Sequence, residues 1–193
     1  MLRHQTIQHL QGLEVAPELT DITTLIPFLK SMKENLNFKY LKIVADAGYE
    51  SEENYSFIEE NNQISFIKPS NYEISKTRKY KNDINRIDNM DYDSESDLFI
   101  CQNGKKLIAN WIKIRKSKTG YESVKTIYIC EDCSNCNYKS QCIKGNNSKI
   151  SLEKRTKKFE TSKKFNRQRK EDLERIITDE GILLRMNRSI QAE

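Results

Sequence analysis

Leu41-Lys42-Ile43-Val44-Ala45-Asp46-Ala47-Gly48-Tyr49 is the stretch on which the fold turns. Its apolar run, preceded by Tyr40, predicts a short buried strand of a parallel sheet or a central strand. The strand delivers Asp46 at its C-terminal end, just before a glycine turn. Ser51 can cap the next helix, with Glu52 and Glu53 in the favourable first turn and Tyr55 and Ile58 on the inner face. Ile64-Ser65-Phe66-Ile67, bounded by Asn61-Asn62 and Pro69, reads as a second strand. Upstream, Leu25, Ile26, Phe28, Leu29 and Met32 recur at helical spacing after Thr23 and Thr24. They predict a helix over 24–36 that carries Pro27 in its first turn. Residues 4–16 alternate only weakly and are closed by Pro17. Helix–strand–helix–strand of this kind is α/β organisation.

The texture changes after Pro69. Residues 70–92 are polar and predict irregular structure. Leu98-Phe99-Ile100-Cys101, Asn103-Gly104 and the run Leu107 to Ile114 predict a hairpin, because Asn-Gly is a strong hairpin turn. Val124 to Ile129 supplies a third strand, and four cysteines follow it directly. From about Thr156 the composition turns helical, in Phe165 to Ile177 and again in Ile182 to Glu193, with a junction near Thr178 or Asp179. There is no internal repeat. Three segments are expected: 1–69, a partial α/β core; 70–150, a β-rich, cysteine-bearing insertion; and 151–193, a basic helical segment that returns to the core.

A chain of 193 residues suits one ordinary domain with a sizeable insertion. Charged residues are abundant and Gly and Pro scarce, which excludes collagen-like and mucin-like classes. No apolar run approaches the roughly 20 residues needed to span a bilayer, and the N-terminus lacks a signal-peptide core. The expected compartment is therefore the cytoplasm, with no membrane partner. The net charge of +5 is unevenly spread. Asp83, Asp88, Asp91, Asp93, Glu95 and Asp97 form an acidic stretch. Lys149, Lys154, Arg155, Lys157, Lys158, Lys163, Lys164, Arg167, Arg169 and Lys170 form a basic one. From Lys154 onward these cations are candidate phosphate contacts for DNA, the competing reading being a solvated helix face. Phe159 and Phe165, interleaved with them, either pack on sugars and bases or face the core.

Asp46 lies where open α/β sheets place their sites. An acid at a strand end, paired with one from a distant helix, is the raw material of Mg²⁺-dependent phosphoryl transfer. Glu193 is the distant acid: on a helix, Ile182, Met186, Ile190 and Glu193 share one stripe. The plainer readings are a strand-ending Asp that bonds turn amides and a solvated last-turn Glu. Cys130, Cys133, Cys136 and Cys142 follow Cys-x₂-Cys-x₂-Cys-x₅-Cys, a knuckle spacing for a structural Zn²⁺, with Cys101 as an alternative ligand. An iron–sulfur reading fits the first three spacings but not the fourth, and free reduced thiols remain an alternative. His4 and His9 stand near no nucleophile, and neither a P-loop nor a dinucleotide fingerprint occurs.

Thr20 to Leu29, Val44 to Tyr49 with Ser51 to Tyr55, the cysteine knuckle and Arg188-Ser189-Ile190-Gln191-Ala192-Glu193 occur in one order. In that order the chain resembles the DDE transposases of bacterial insertion sequences, in the group with a cysteine-rich insertion before the final Glu. The resemblance implies an incomplete ribonuclease-H-like α/β core with a small β-rich, Cys-containing insertion and C-terminal helices. It implies that Asp46 is the second catalytic Asp and Glu193 the catalytic Glu, both ligating Mg²⁺, and that Arg188 joins the DNA contacts. Its first Asp belongs upstream of Met1 and its last helix continues past Glu193, so the chain reads as truncated at both ends and inactive alone. The implied partners are transposon-end DNA, a second copy or a full-length transposase. The alternative is a non-catalytic zinc-knuckle module that binds DNA or protein and modulates a full-length transposase.

Overall fold

A computed structural model describes residues 21–145 and 149–191, so His4, His9, the weakly alternating segment 4–16 and Glu193 lie outside the described residues. Helix α1 spans Leu25–Leu36, strand β1 Lys42–Ala45, α2 Glu52–Glu60 and β2 Ile64–Ile67. The strands pair in parallel, Val44 opposite Phe66, with α2 as the crossover. The Ser51 hydroxyl accepts from the Asn54 amide at 3.1 Å, the cap that its position predicts. Leu25, Ile43, Ala45, Tyr55, Ile58 and Ile67 bury against one another, with Leu29, Tyr40, Tyr49 and Phe165 packed around them.

The second unit is a five-stranded antiparallel meander in chain order: β3 Asp91–Asp93, β4 Leu98–Ile100, β5 Lys106–Lys116, β6 Glu122–Cys130 and β7 Lys158–Thr161. Gly104 turns β4 into β5 at φ +70°, where a Cβ would be strained. The tip of the β5–β6 hairpin reaches back to α2. Thr119 donates to Glu53 at 2.6 Å, Tyr121 shares a hydrogen bond with Ser56 at 3.0 Å, and Lys125 pairs with Glu52 at 3.1 Å. The core of this unit is Met90, Phe99, Leu107, Tyr128, Cys130 and Cys133.

Two local expectations need correcting. The segment after Pro69 is not irregular throughout: it forms short helices α3 (Tyr72–Ser75) and α4 (Arg78–Lys81) before β3. The chain past Thr156 is not helical at once, because Lys158–Thr161 pairs with β6 and Phe159 stacks on Tyr128 at 5.2 Å. Helix α5, Lys139–Cys142, is a single turn within the cysteine segment. Helix α6, Lys163–Ile176, then packs on β2, and α7, Asp179–Gln191, packs against β1. Gly181 sits at the α6–α7 corner because a Cβ there would meet the Arg175 carbonyl at 2.2 Å. Among the described residues no helix is long and apolar enough to cross a membrane.

Candidate active site and nucleic-acid interface

Strand β1 ends on Asp46, and the chain turns at once into a single 3₁₀ turn, Ala47–Tyr49. The Asp46 carbonyl accepts from the Tyr49 amide at 3.1 Å, while its side chain caps nothing and is half exposed. The carboxylate instead receives the guanidinium fork of Arg188, one nitrogen to each oxygen. A second ion pair, Lys42 with Glu180, ties the start of β1 to the start of α7. Helix α7 thus lies along β1 with an ion pair at each end of the contact.

The loop behind Asp46 is fixed by a residue that sequence reasoning passed over. Glu50 is buried, receives Arg169 in a bidentate pair at 2.6 and 2.8 Å, and accepts from the Ser70 amide at 2.8 Å. Nothing in its spacing sets it apart from Glu52 and Glu53, and its partner lies 119 residues away. Asp172 is the other unforeseen carboxylate. It is fully buried and accepts from the Ser65 hydroxyl at 2.5 Å, the Ile67 amide at 2.6 Å and Arg175 at 3.1 Å. Burial pushes its carboxyl upward, against the pull of those donors. Arg175 also donates to the Ser65 carbonyl at 3.0 Å, so α6 stands in for a strand along the outer edge of β2.

The candidate DNA contacts do not form one stripe. Lys157 is buried; its ammonium donates to the Asn85 carbonyl at 2.7 Å, to the Asn85 side chain at 2.5 Å and to the Cys142 carbonyl at 3.3 Å, and burial lowers its pKa. Arg155 donates to the Gly145 carbonyl at 2.7 Å, Arg169 serves Glu50, and Lys163 pairs with Asp97 at 2.5 Å. Arg167 bridges Glu59 and Glu171, and Lys164 approaches the Tyr121 hydroxyl at 3.4 Å. Lys154, Lys158 and Lys170 are exposed and form no ion pair among the described residues. Phe165 packs against the first core and Phe159 against the second, which removes both from the role of stacking platforms.

All five cysteines line one cavity of about 20 Å³ beside Ile84, Tyr138 and Lys157. The Lys157 amide donates to the Cys133 sulfur at 3.3 Å. Burial pushes the Cys130 thiol up to about 12 and raises Cys142 as well. Among the described residues no group of three or more His, Cys, Asp or Glu side chains is arranged to hold a metal ion, at the cysteines or around Asp46.

A family model described as Transposase DDE domain matches residues 100–193, just under half of the chain. The match takes in β5 through α7, and with them the cysteines, the basic segment and Arg188; Asp46 falls outside it. It bears out the resemblance to DDE transposases, a family that acts on DNA and uses a divalent metal. No curated protein and no solved structure matches the chain.

Proposed function

We propose that this chain is part of the DDE-type phosphoryl-transfer domain of a DNA transposase, with a ribonuclease-H-like fold, and does not act alone. Asp46 and Glu193 are then its acidic Mg²⁺ ligands, and the exposed cations of residues 154–170 are its DNA contacts. The observation that carries the reading is convergence. Helix α7, which lies within the family match, returns along β1 and sets Arg188 on the carboxylate at the strand end. An acid at the carboxyl end of a parallel strand is where such sheets hold ligands. Because the described side chains gather no complete metal site, no chemical step is derived through the metal.

Two measurements test this. Duplex DNA binding, followed by fluorescence anisotropy, should weaken with salt at a slope of about −3 to −4 in log K against log salt. That slope corresponds to Lys154, Lys158, Lys164 and Lys170 each releasing about 0.9 counterion. Binding that ignores salt, or no binding, sinks the DNA role. Mn²⁺ titration read by electron paramagnetic resonance should lose one site in Asp46→Asn, and an unchanged isotherm removes Asp46 from the metal. A second reading keeps a structural Zn²⁺ on Cys130, Cys133, Cys136 and Cys142, favoured by their shared cavity. It requires the four sulfurs to close on a common centre as thiolates. One equivalent of zinc in purified protein, lost in Cys133→Ser, supports it; metal-free protein leaves thiols.

A further inference from the structure

A cavity of about 780 Å³ lies between α6 and the segment that runs from α4 to β3. Its volume falls in the range of small-ligand sites rather than of surface wrinkles. One wall is the α6 stripe Lys163, Asn166, Arg167, Lys170 and Leu173, spaced so that a single helix face looks into the cleft. The other wall carries Tyr80, Lys81, Met90 and Tyr92, and Phe99 and Tyr128 contribute aromatic lining.

Tyr92 is the informative residue. It is 46 % exposed, yet its ring is held in place. It packs on Phe99 with centroids 4.6 Å apart, and its hydroxyl donates to Asp97 at 2.8 Å. Asp97 is itself held by Tyr128 at 2.6 Å and by Lys163 at 2.5 Å. An exposed aromatic fixed in this way offers a flat face at little further cost in rotamer entropy. The charges point the same way. Five cations, Lys81, Lys163, Arg167, Arg169 and Lys170, line the cleft against one carboxylate, Asp88. Lys163, Arg167 and Arg169 are held by Asp97, Glu59 with Glu171, and Glu50. Lys81 and Lys170, one on each wall, form no ion pair among the described residues. Aromatic floor and open cations on both rims are what an unpaired nucleotide needs: a π-face for the base and ammonium groups for the flanking phosphates. A paired duplex keeps its base faces stacked and cannot use such a floor.

We infer that the cleft between α6 and β3 binds single-stranded DNA, one or two unpaired nucleotides with a base stacked on Tyr92 and phosphates at Lys81 and Lys170. The inference rests on the DNA-acting reading above and adds the strand state of the ligand.

The test uses the full chain and a fluorescein-labelled oligothymidylate of about twelve nucleotides, within the span of known single-strand sites. Anisotropy should show binding that Tyr92→Ala weakens about tenfold, the loss expected of one stacked base. Tyr92→Phe keeps the ring and should retain affinity, and a blunt duplex should bind wild type and Tyr92→Ala alike. Ultraviolet crosslinking of a 5-iodouracil version to wild type should map to Tyr92 or a neighbouring cleft aromatic. That readout does not depend on how any variant folds. Equal oligothymidylate affinity in wild type and Tyr92→Ala, or crosslinks confined outside the cleft, overturns the inference. A chain that binds duplex and ignores the single strand overturns it too, while leaving the proposed function intact. A chain that binds neither sinks both.

Discussion

Replacing Asp172 by Ala tests how the two-stranded sheet is completed. Its carboxylate takes the Ile67 amide and the Ser65 hydroxyl at the outer edge of β2, and its own exposure is zero. Alanine leaves the Ile67 N–H in the interior without a partner, a cost of about 1–3 kcal/mol. It also strips Arg175 of its carboxylate, and breaking a buried pair from one side typically costs about 3–5 kcal/mol. Arg175 keeps the Ser65 carbonyl and is one-third exposed, so water recovers part of that loss. The expected destabilisation is about 3 kcal/mol, a large share of the roughly 5–15 kcal/mol typical of a folded domain. With an m-value of about 2 kcal/mol/M the urea midpoint should fall by about 1.5 M. Asp172→Asn keeps the shape and one acceptor and should lose about half as much. Because the folded carboxyl is raised, its contribution is fully present below the ordinary Asp range and is lost as pH rises through the raised value. The gap between wild type and Asp172→Asn should therefore be widest below about pH 4 and narrow as the pH rises from there. An alanine midpoint within about 0.3 M of wild type would refute the idea that α6 substitutes for a strand.

Arg188→Ala frees both oxygens of Asp46, and since that pair is open to solvent the urea midpoint should move by less than about 1 kcal/mol in free energy. The same variant should bind Mn²⁺ more tightly in the resonance titration; weaker binding would make Arg188 a support of the site rather than an occupant of it. Lys157→Met removes a buried cation and leaves the Asn85 and Cys142 acceptors unmet, costing about 1–3 kcal/mol by urea titration. Iodoacetamide at pH 8 should label Cys101 and Cys136 before the buried Cys130, whose reactivity should keep rising toward pH 12, as peptide mass spectrometry can follow.

The β1–α2–β2 unit was legible because each boundary carries its own chemistry: an apolar run of four or five residues, the Ser51 cap, and the Asn61-Asn62 stop. The hairpin at Asn103-Gly104 and the α6–α7 junction were legible for the same reason. Strand β7 was not. Lys158-Phe159-Glu160-Thr161 carries one apolar residue amid charges, and only the Tyr128 ring and the β6 ladder make it a strand. Asp46 could be read as a strand-end acid, but its ion pair with Arg188 spans 142 residues and has no local signature. The basic segment misled for a related reason. A count of cations cannot tell which have carboxylate partners, and Glu50, Glu59 and Asp97 claim three of them from far along the chain.

Helix α6 is what joins these sites. Its first turn holds Asp97 through Lys163, and with Asp97 the mounting of Tyr92. That turn also fills the α/β core with Phe165, and the second, through Arg169, holds Glu50 four residues beyond Asp46. Its third turn seals the outer edge of β2 with Asp172. A ligand that draws Lys163 or Lys170 toward a phosphate therefore pulls on the same rigid element that positions the strand-end loop. Coupling through such an element needs no contact between the two ligands, only a shared body whose placement both bias. This gives a sharp expectation for Arg169→Ala. Its own side chain is half-buried in the Glu50 pair, so its loss leaves Glu50 buried with only the Ser70 amide. Oligothymidylate affinity and Mn²⁺ affinity should fall together, although Arg169 lines only the cleft, where Glu50 holds it, and is not assigned to the metal. If one falls and the other holds, the two sites are mechanically independent and α6 is only a scaffold.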